Sequence, residues 1–316
     1  MKPAEVAGSV NKIFEKALPL FPIAGVVLGF LFPQALVQAR PLVPWVFALM
    51  TLSGALKLRV REIRAARSLP LAMLLFFVSS RIIMPLAVLA VSSLVFPNDP
   101  YMVLGFVFLY SIPTAVTGFI WVTIFKGDLV IGLALILVDT LLSPVLTPLT
   151  VMLLLGAAVE LDTMGMVTSL FLMIVLPTFL GVLFNEASRG KVPELALPYL
   201  SPLSKLCIIV VVSSNAAAAS GYISFADPGI WMILAACVSF NIMGFICGKL
   251  MGRAGRLAGE KQTPLFIATG LKNNNAAMTL GVDFLPMAAV LPAVLGIMVQ
   301  HSVAAIMGRI LVKKKT

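Results

Sequence analysis

An apolar run over residues 263–285 carries one lysine and three consecutive asparagines near its centre, Lys272, Asn273, Asn274 and Asn275. A lysine at the centre of a membrane-spanning helix costs roughly 2.5–3.5 kcal/mol, and four polar positions in a row cannot share one helical face. Gly270 and the asparagines are also poor helix formers. The run therefore predicts a membrane-spanning helix that breaks within the bilayer and turns its freed backbone toward a cavity. A continuous helix whose polar stripe packs on its neighbours is the alternative.

The composition of the whole chain favours a membrane protein. Of the 316 residues, 60% are hydrophobic and 11% are charged, whereas a soluble domain carries about 25% charged residues. The three cysteines lie in apolar segments without metal-ligand spacing, so we expect no metal site. Hydropathy predicts an all-α membrane protein with ten transmembrane helices. Their approximate ranges are 18–36, 43–56, 69–96, 101–125, 130–155, 167–184, 203–219, 230–250, 264–285 and 288–311.

Basic residues are distributed unequally between the two ends of these spans. Most of the 23 Lys and Arg residues fall in the N-terminus, the even-numbered connections and the C-terminal tail. The odd-numbered connections hold almost none, and Arg40 is the exception. This asymmetry predicts a multi-pass protein of the bacterial inner membrane with both termini in the cytoplasm. We therefore attribute the net charge of +10 to orientation in the lipid bilayer and expect no nucleic acid partner.

A second interruption is expected in the fourth span, where Pro113 lacks a backbone donor and Gly118 loosens the chain. The two interruptions lie about half the chain apart. We therefore predict two inverted five-helix repeats, residues 1–158 (spans 1–5) and 159–316 (spans 6–10), whose broken fourth and ninth helices cross at the membrane midplane. The N-termini of the half-helices would then point their partial positive charge into one cavity.

Several segments resemble one family of transporters. They are Pro113-Thr114, Thr123-Ile124-Phe125-Lys126-Gly127-Asp128, Ser143-Pro144-Val145-Leu146-Thr147-Pro148, Thr269-Gly270-Leu271-Lys272-Asn273, Gln300-His301-Ser302 and Arg81-Ile82-Ile83-Met84-Pro85. They are similar to stretches in the fourth, fifth, ninth, tenth and third helices of the bile acid:sodium symporter family. The resemblance implies a panel domain of spans 1, 2, 6 and 7, a core domain of spans 3–5 and 8–10, and sodium-coupled uptake of organic anions. It implies no cofactor.

The positions that would bind sodium depart from the family pattern. Where the resemblance implies oxygen ligands, this chain has Gly118, Phe119, Gly132, Ile136 and Ala268. Sodium is a hard cation that needs oxygen ligands, and these side chains offer none. Two glutamines of the family correspond to Ser80 and Lys272, and an ammonium would repel sodium. The sequence therefore predicts that both family sodium sites are degenerate.

Positive and negative charge replaces these ligands. Lys272, Asp139 and Arg81 are the clear ionisable residues near the middle of the predicted spans. A buried charge needs a partner. Because the resemblance implies that the fifth and ninth helices belong to one core, we predict that Lys272 pairs with Asp139 and that Arg81 lies close by. The pair could stand permanently in place of sodium, or it could titrate during transport, and the sequence leaves both interpretations open.

From these features we expect a secondary transporter that moves a small organic anion by alternating access, without sodium at the family sites. The substrate would be a bile acid- or pantoate-like carboxylate, held between the half-helix ends. The residues expected to contact it are Thr114, Val116, Thr117, Asn273, Asn274 and Ser302. The alternatives are a cation/proton antiporter that uses Asp139 and Lys272, with protons as partners, and a non-transporting membrane scaffold. No nucleophile–base pair or metal cluster converges, so we expect no catalytic residues and no enzyme.

Overall fold

A computed structural model describes residues 20–60, 69–156 and 162–312, together with Asn11, Phe14 and Ala17. The regular elements in this part of the chain are helices. The α-helices are α1 Leu20–Leu31, α2 Pro33–Leu36, α3 Val43–Ala55, α4 Pro70–Phe77, α5 Met84–Val95, α6 Pro100–Ser111, α7 Gly118–Ile124, α8 Leu129–Leu155, α9 Thr163–Leu170, α10 Leu176–Ala187, α11 Lys191–Ala219, α12 Pro228–Ala254, α13 Gly259–Gly270, α14 Asn274–Phe284 and α15 Leu291–Leu311. Short 3-10 helices span Val37–Leu42, Ser220–Tyr222 and Met287–Val290, and the π-helical turns Val78–Ile83 and Phe171–Val175 join α4 to α5 and α9 to α10.

Within the described residues, seven helical stretches are long and apolar enough to cross a membrane. They are Pro33–Ala55, Pro70–Val95, Leu129–Leu155, Thr163–Ala187, Lys191–Tyr222, Pro228–Ala254 and Met287–Leu311. The helices α1 and α6 are apolar but shorter. The chain is thus an all-α, multi-pass membrane protein, as its composition indicated. The count of ten spans and the inverted repeats stay predictions, because the other expected spans consist of shorter or interrupted helices.

Both predicted interruptions are present. Helix α6 ends at Ser111 and α7 begins at Gly118, while α13 ends at Gly270 and α14 begins at Asn274. The residue after each first half is extended, with φ/ψ of −69°/151° at Ile112 and −96°/107° at Leu271. The alternative of a continuous helix over 263–285 is therefore wrong, because the backbone leaves the helix directly before Lys272.

The helices pack in two main groups. Helix α1 lies along α11, and α3 packs on both α10 and α11, whereas α12 packs on α13 and α15, and α5 packs on α6. A Cβ atom added to Gly29 would lie 2.6 Å from the Ser213 carbonyl oxygen, so α1 can approach α11 this closely only with glycine at that position. In the largest apolar cluster, Phe106 packs edge-to-face on Phe240 with ring centroids 5.0 Å apart. The division into panel and core domains remains a prediction.

Four of the chain's few acidic residues cap helix N-termini. The side chain of Asp99 accepts a hydrogen bond from the Met102 N–H at the start of α6, and Asp128, Asp162 and Asp227 cap α8, α9 and α12 in the same way. Each cap satisfies a backbone donor that has no helical partner and contributes about 1 kcal/mol. These carboxylates therefore lie at the ends of helices and fix where those helices begin.

Candidate substrate site at two crossed helix breaks

The two interrupted helices meet backbone to backbone. Thr114 and Lys272 form an isolated antiparallel bridge. On one side of it the Ala115 N–H donates to the Leu271 carbonyl over 3.1 Å, and a second hydrogen bond of 2.9 Å lies on the other side. Each unwound segment thus forms hydrogen bonds with backbone groups of the other segment that have no partner within a helix. These bonds allow irregular backbone to persist inside a membrane protein.

Arg81 and Asp139 form a buried ion pair beside this crossing. The guanidinium Nη2 of Arg81 lies 2.5 Å from Asp139 Oδ1, and the two side chains are 5% and 0% exposed. The other carboxylate oxygen, Oδ2, accepts a 2.7 Å hydrogen bond from the Thr114 N–H, and Arg81 Nη1 donates to the Ser111 carbonyl. The predicted pairing of Asp139 with Lys272 is therefore wrong. The carboxylate instead has a guanidinium, whose fork binds a carboxylate and a carbonyl together.

The ammonium of Lys272 has a different partner. It is 2% exposed, and its Nζ donates to Ser80 Oγ over 2.7 Å and to the Ser80 carbonyl over 3.4 Å. Ser80 and Arg81 both lie in the π-helical turn Val78–Ile83, where three consecutive side chains are buried. The wider π-helical turn thus lets adjacent residues of one span bind Lys272 and Asp139.

The Ser-Pro-x-x-Thr-Pro motif of α8 supplies two further hydrogen bonds near the break. Pro144 cannot donate to the Thr140 carbonyl, and Ser143 Oγ donates to it instead over 2.7 Å. Thr147 Oγ1 donates over 2.7 Å to the Ser111 carbonyl, which Arg81 also contacts. The motif therefore satisfies carbonyls that the proline and the break in the fourth span leave without a helical donor.

A cavity of about 220 Å³ opens against the crossed segments. Its walls come from α3, α7, α8, α11, α14 and α15 and from both unwound segments. Three lysines line it, Lys57, Lys205 and Lys272, and none of its described lining residues is a carboxylate. Lys57 is exposed, whereas Lys205 and Lys272 are 8% and 2% exposed. The lysines thus extend from the surface to the interior and place positively charged groups along the cavity.

Four of the six residues predicted to contact substrate line this cavity, namely Val116, Thr117, Asn273 and Asn274. The structure does not bring Thr114 and Ser302 to it. The Thr114 side chain is buried and donates to the Ala268 carbonyl over 2.8 Å, so it holds the crossing together. Ser302 is exposed, because it lies one residue beyond His301 and thus about 100° around α15.

The five positions predicted to be degenerate sodium ligands have mostly apolar surroundings. A Cβ atom added to Gly118 or Gly132 would contact side-chain carbons of Ile267 or Val122, respectively. Ala268 lies in an apolar cluster with Phe76, Ile131, Leu135 and Leu265. Phe119 and Ile136 line the cavity. In the part of the chain that the structure describes, carbon atoms therefore occupy much of the space where the resemblance implies sodium ligands.

The sequence interpretation missed Lys57, Lys205 and Gln300 as lining residues. Lys205 had a detectable signal, since it is the one cation within the long apolar part of α11. Lys57 lies in an even-numbered connection, where the basic residues were interpreted as signals of membrane orientation. Its contact with the cavity was therefore not expected. Gln300 precedes His301, whose Nδ1 accepts a 3.2 Å hydrogen bond from Trp121 Nε1. This bond holds Trp121 and His301 together at the cavity wall.

Comparison with known proteins identifies the same family that the motifs resemble. Residues 22–224 match the family described as the sodium bile acid symporter family. Members of this family are transporters of small solutes and are not enzymes. The match ends before the second helix break.

Three relatives cover nearly the whole chain. The "Uncharacterized protein YbaS" of Bacillus subtilis is 35% identical over 93% of this chain and 96% of its own length. The "Probable sodium/metabolite cotransporter BASS3, chloroplastic" of Oryza sativa subsp. japonica is 24% identical over 93% of this chain and 69% of its own length. The "Uncharacterized sodium-dependent transporter YocS" of Bacillus subtilis is 23% identical over 93% of this chain and 90% of its own length. The latter two names state a sodium dependence for those proteins.

Proposed function

The chain belongs to the sodium bile acid symporter family, and from this we propose that it is a secondary transporter that moves a small organic anion without sodium at the family sites. One observation carries the choice of an anion. Three lysines and no carboxylate lie among the described residues that line the cavity at the crossed helix breaks. An ammonium within about 4 Å of an anion gains roughly 4 kcal/mol at the effective dielectric near a protein surface.

The size of the cavity favours a small substrate. Its volume of about 220 Å³ lies below the range of roughly 300–1,000 Å³ that drug-sized ligands occupy. A pantoate-like carboxylate fits this volume better than a steroid such as a bile acid. Asn273, Asn274 and Thr117 offer amide and hydroxyl groups for the substrate's polar atoms. We propose that the carboxylate lies toward Lys205, because that ammonium is buried and part of the wall, where its Nζ also donates to Asn11 Oδ1.

Alternating access follows from where the cavity reaches solvent. Exposed Lys57 belongs to the basic connection 57–64, which the charge pattern assigns to the cytoplasm. At the far end of α11, Asn215 donates to Thr279 over 3.0 Å, and Arg40 contacts Asp283. We propose that this arrangement is the inward-facing state, and that parting of these contacts accompanies opening to the outside.

The antiporter alternative receives less support. It requires a carboxylate that a cation or proton reaches from the cavity. Asp139 is fully buried, and its two oxygens accept from Arg81 and the Thr114 N–H. A carboxylate used in this way serves the structure of the helix break. We therefore assign the Arg81–Asp139 pair a fixed role and do not route a coupling ion through it.

Uptake into proteoliposomes tests the proposal. Labelled pantoate should accumulate in vesicles that contain the protein, and taurocholate should not. The variant Lys205→Gln should weaken pantoate affinity about ten- to hundred-fold, since a hydrogen bond to a charged group contributes roughly 1.5–3 kcal/mol. Lys191→Gln is the matched control, because Lys191 is an exposed lysine of the same helix that does not line the cavity.

Two outcomes would contradict the proposal. If small cations compete for uptake while small carboxylates do not, the cavity does not select anions. If Lys191→Gln and Lys205→Gln change affinity equally, the effect comes from overall charge and the assigned cavity is not the site.

A further inference from the structure

A second cavity, of about 880 Å³, lies on the basic side of the molecule and shares no described lining residue with the first. It is bounded by the end of α7, the last turns of α12 and the start of α13. The chain reaches it again at Val312, directly after α15. No step of the proposed transport uses this cavity, so its lining calls for a separate explanation.

The lining carries an excess of positive charge. Three cations line it, Lys126, Lys249 and Arg253, and Glu260 is the one carboxylate among the described lining residues. Lys126 and Arg253 are exposed, whereas Lys249 is 7% exposed and its Nζ lies 5.7 Å from the centre of the Phe266 ring. Burial of an ammonium on an aromatic face fixes its position and reduces its hydration. The cavity therefore combines one fixed cation with two on the surface.

Close helix packing holds Lys249 at this position. A Cβ atom added to the preceding residue, Gly248, would lie 2.6 Å from Phe266 Cα, so α12 and α13 approach each other closely there. Gln262 donates from Nε2 to the Leu257 carbonyl over 2.6 Å and ties the connection between these helices to α13. Helix packing thus fixes the backbone position of Lys249, whereas Lys126 lies in the turn between α7 and α8.

The opposite wall is apolar. Ile124 is 56% exposed, and Phe125 packs so closely on α15 that a Cβ atom added to Gly308 would lie 1.9 Å from the Phe125 ring. Phe125 also stacks on Trp121 with ring centroids 5.9 Å apart. A free phosphate ion would leave this apolar wall unused. A ligand with an anionic head and hydrocarbon chains would contact both walls.

We propose that this cavity binds the phosphate-bearing headgroup of an anionic phospholipid, with Lys126, Lys249 and Arg253 around the phosphate and an acyl chain along Ile124. Basic pockets between membrane helices, on the side where positive charge is concentrated, have the chemistry for such headgroups. In the sequence, Val312 is followed by Lys313, Lys314 and Lys315. These lysines carry the same sign of charge as the cavity lining. They would therefore repel the lining and do not suit the cavity as its ligand, whereas an anionic ligand would be attracted by both.

The chain offers a well-matched pair of variants for the test. Lys126 and Arg256 are both exposed, both basic and both in the left-handed region, with φ of 52° and 53°. Arg256 does not line the cavity. Replacing either residue with glycine removes one charge and also relieves backbone strain. A loss of lipid binding in Lys126→Gly therefore cannot be ascribed to unfolding.

The measurement is the melting temperature of the full chain in detergent, with short-chain phosphatidylglycerol, short-chain phosphatidylcholine or inorganic phosphate added. Phosphatidylglycerol should raise Tm by about 2 °C or more, while phosphatidylcholine and inorganic phosphate should not. Lys126→Gly and Arg253→Gln should each lose most of this rise, and Arg256→Gly should keep it. Binding isotherms in vesicles of phosphatidylcholine with and without phosphatidylglycerol give the same comparison in a bilayer.

Three results would overturn the proposal. An equal rise in Tm with inorganic phosphate would identify a site for free anions. Equal losses in Lys126→Gly and Arg256→Gly would mean that the lipid responds to overall charge. An unchanged rise in both Lys126→Gly and Arg253→Gln would place the lipid elsewhere. None of these results depends on the identity of the transported anion, so failure here leaves the transport proposal standing.

Discussion

Arg81 and Asp139 form an ion pair that joins two helices. Both side chains also bind the backbone at the ends of a third helix, which is interrupted. The carboxylate accepts from the Thr114 N–H and the guanidinium donates to the Ser111 carbonyl, so the pair spans the interruption between α6 and α7. A buried pair in such a place serves two purposes, because each ion neutralises the other and also satisfies a backbone group without a helical partner.

The first prediction is that either single replacement of this pair is severely destabilising. Arg81→Ala or Asp139→Ala leaves the other charge buried and uncompensated, which costs about 3–5 kcal/mol. The melting temperature in detergent should fall sharply for each. The double variant should lose less than the sum of the singles, with a coupling energy of roughly 0.5–3 kcal/mol.

A double-mutant cycle between Lys272 and Asp139 is the control for the Arg81–Asp139 cycle. Since its ammonium donates to Ser80 and not to Asp139, Lys272→Ala and Asp139→Ala should show clearly weaker coupling than Arg81→Ala and Asp139→Ala. Strong coupling between Lys272 and Asp139 with additive effects for Arg81 would contradict the pairing seen here.

The sequence predicted the breaks well because their signals are local. Pro113 removes a donor and Lys272 cannot remain in an apolar helix, and both facts act on the residues themselves. It also identified Arg81, Asp139 and Lys272 as ionisable residues of the interior. It chose the wrong partner for Asp139 because partner choice depends on side-chain reach across three helices. The π-helical turn at Val78–Ile83, which turns Arg81 toward Asp139, has no sequence signal that we can name.

The lining of the cavity was predicted only in part, for a related reason. Asn273 and Val116 lie beside the breaks, so proximity in sequence found them. Lys57 and Lys205 belong to other segments of the chain, which reach the cavity only when the helices pack together. The hydropathy of the sequence does not predict the angles at which helices pack. Lys205 is a cation in an apolar span, but its depth could not be read from the sequence because α11 begins as early as Lys191.

The second prediction concerns the coupling ion. Because apolar side chains surround several of the positions where the resemblance implies sodium ligands, anion uptake should proceed equally with inward gradients of sodium and of potassium at constant ionic strength. Sodium should also leave the melting temperature unchanged relative to potassium. The sodium-dependent relative from Bacillus subtilis, assayed in parallel, checks that the vesicles report sodium coupling. Saturable stimulation by sodium alone would show that this chain holds a sodium site elsewhere.

The third prediction is the orientation of the chain. In a background without the three native cysteines, an impermeant thiol reagent added to intact cells should label Asn98→Cys and leave Thr316→Cys unlabelled. Position 98 is used because the neighbouring Asp99 caps α6 through Met102 and should be kept. Permeabilised cells supply the control, in which both positions should react. Labelling of position 316 from outside would reverse the assignment of the basic side to the cytoplasm.

The fourth prediction concerns the ion pair between Arg40 and Asp283, which lies at the end of α3 opposite to Lys57. Arg40 Nη2 is 2.7 Å from Asp283 Oδ1, and the side chains are 31% and 36% exposed. The pair joins the 3-10 helix Val37–Leu42 to the last turn of α14. If parting of this contact accompanies opening to the outside, breaking it should favour the outward-facing state.

The expected effect is small, since an exposed ion pair contributes roughly 0.2–1 kcal/mol, or up to about a five-fold change in population. In the cysteine-free background, Arg40→Gln and Asp283→Asn should each raise the rate at which an impermeant reagent labels Asn275→Cys from outside. Asn275 is a suitable probe because it lines the cavity and its Oδ1 has no hydrogen-bond partner in the described structure. The exchanged variant Arg40→Asp with Asp283→Arg should restore the original rate. Unchanged labelling in both single variants, or a double variant that labels as fast as the singles, would show that this pair does not bias the transition.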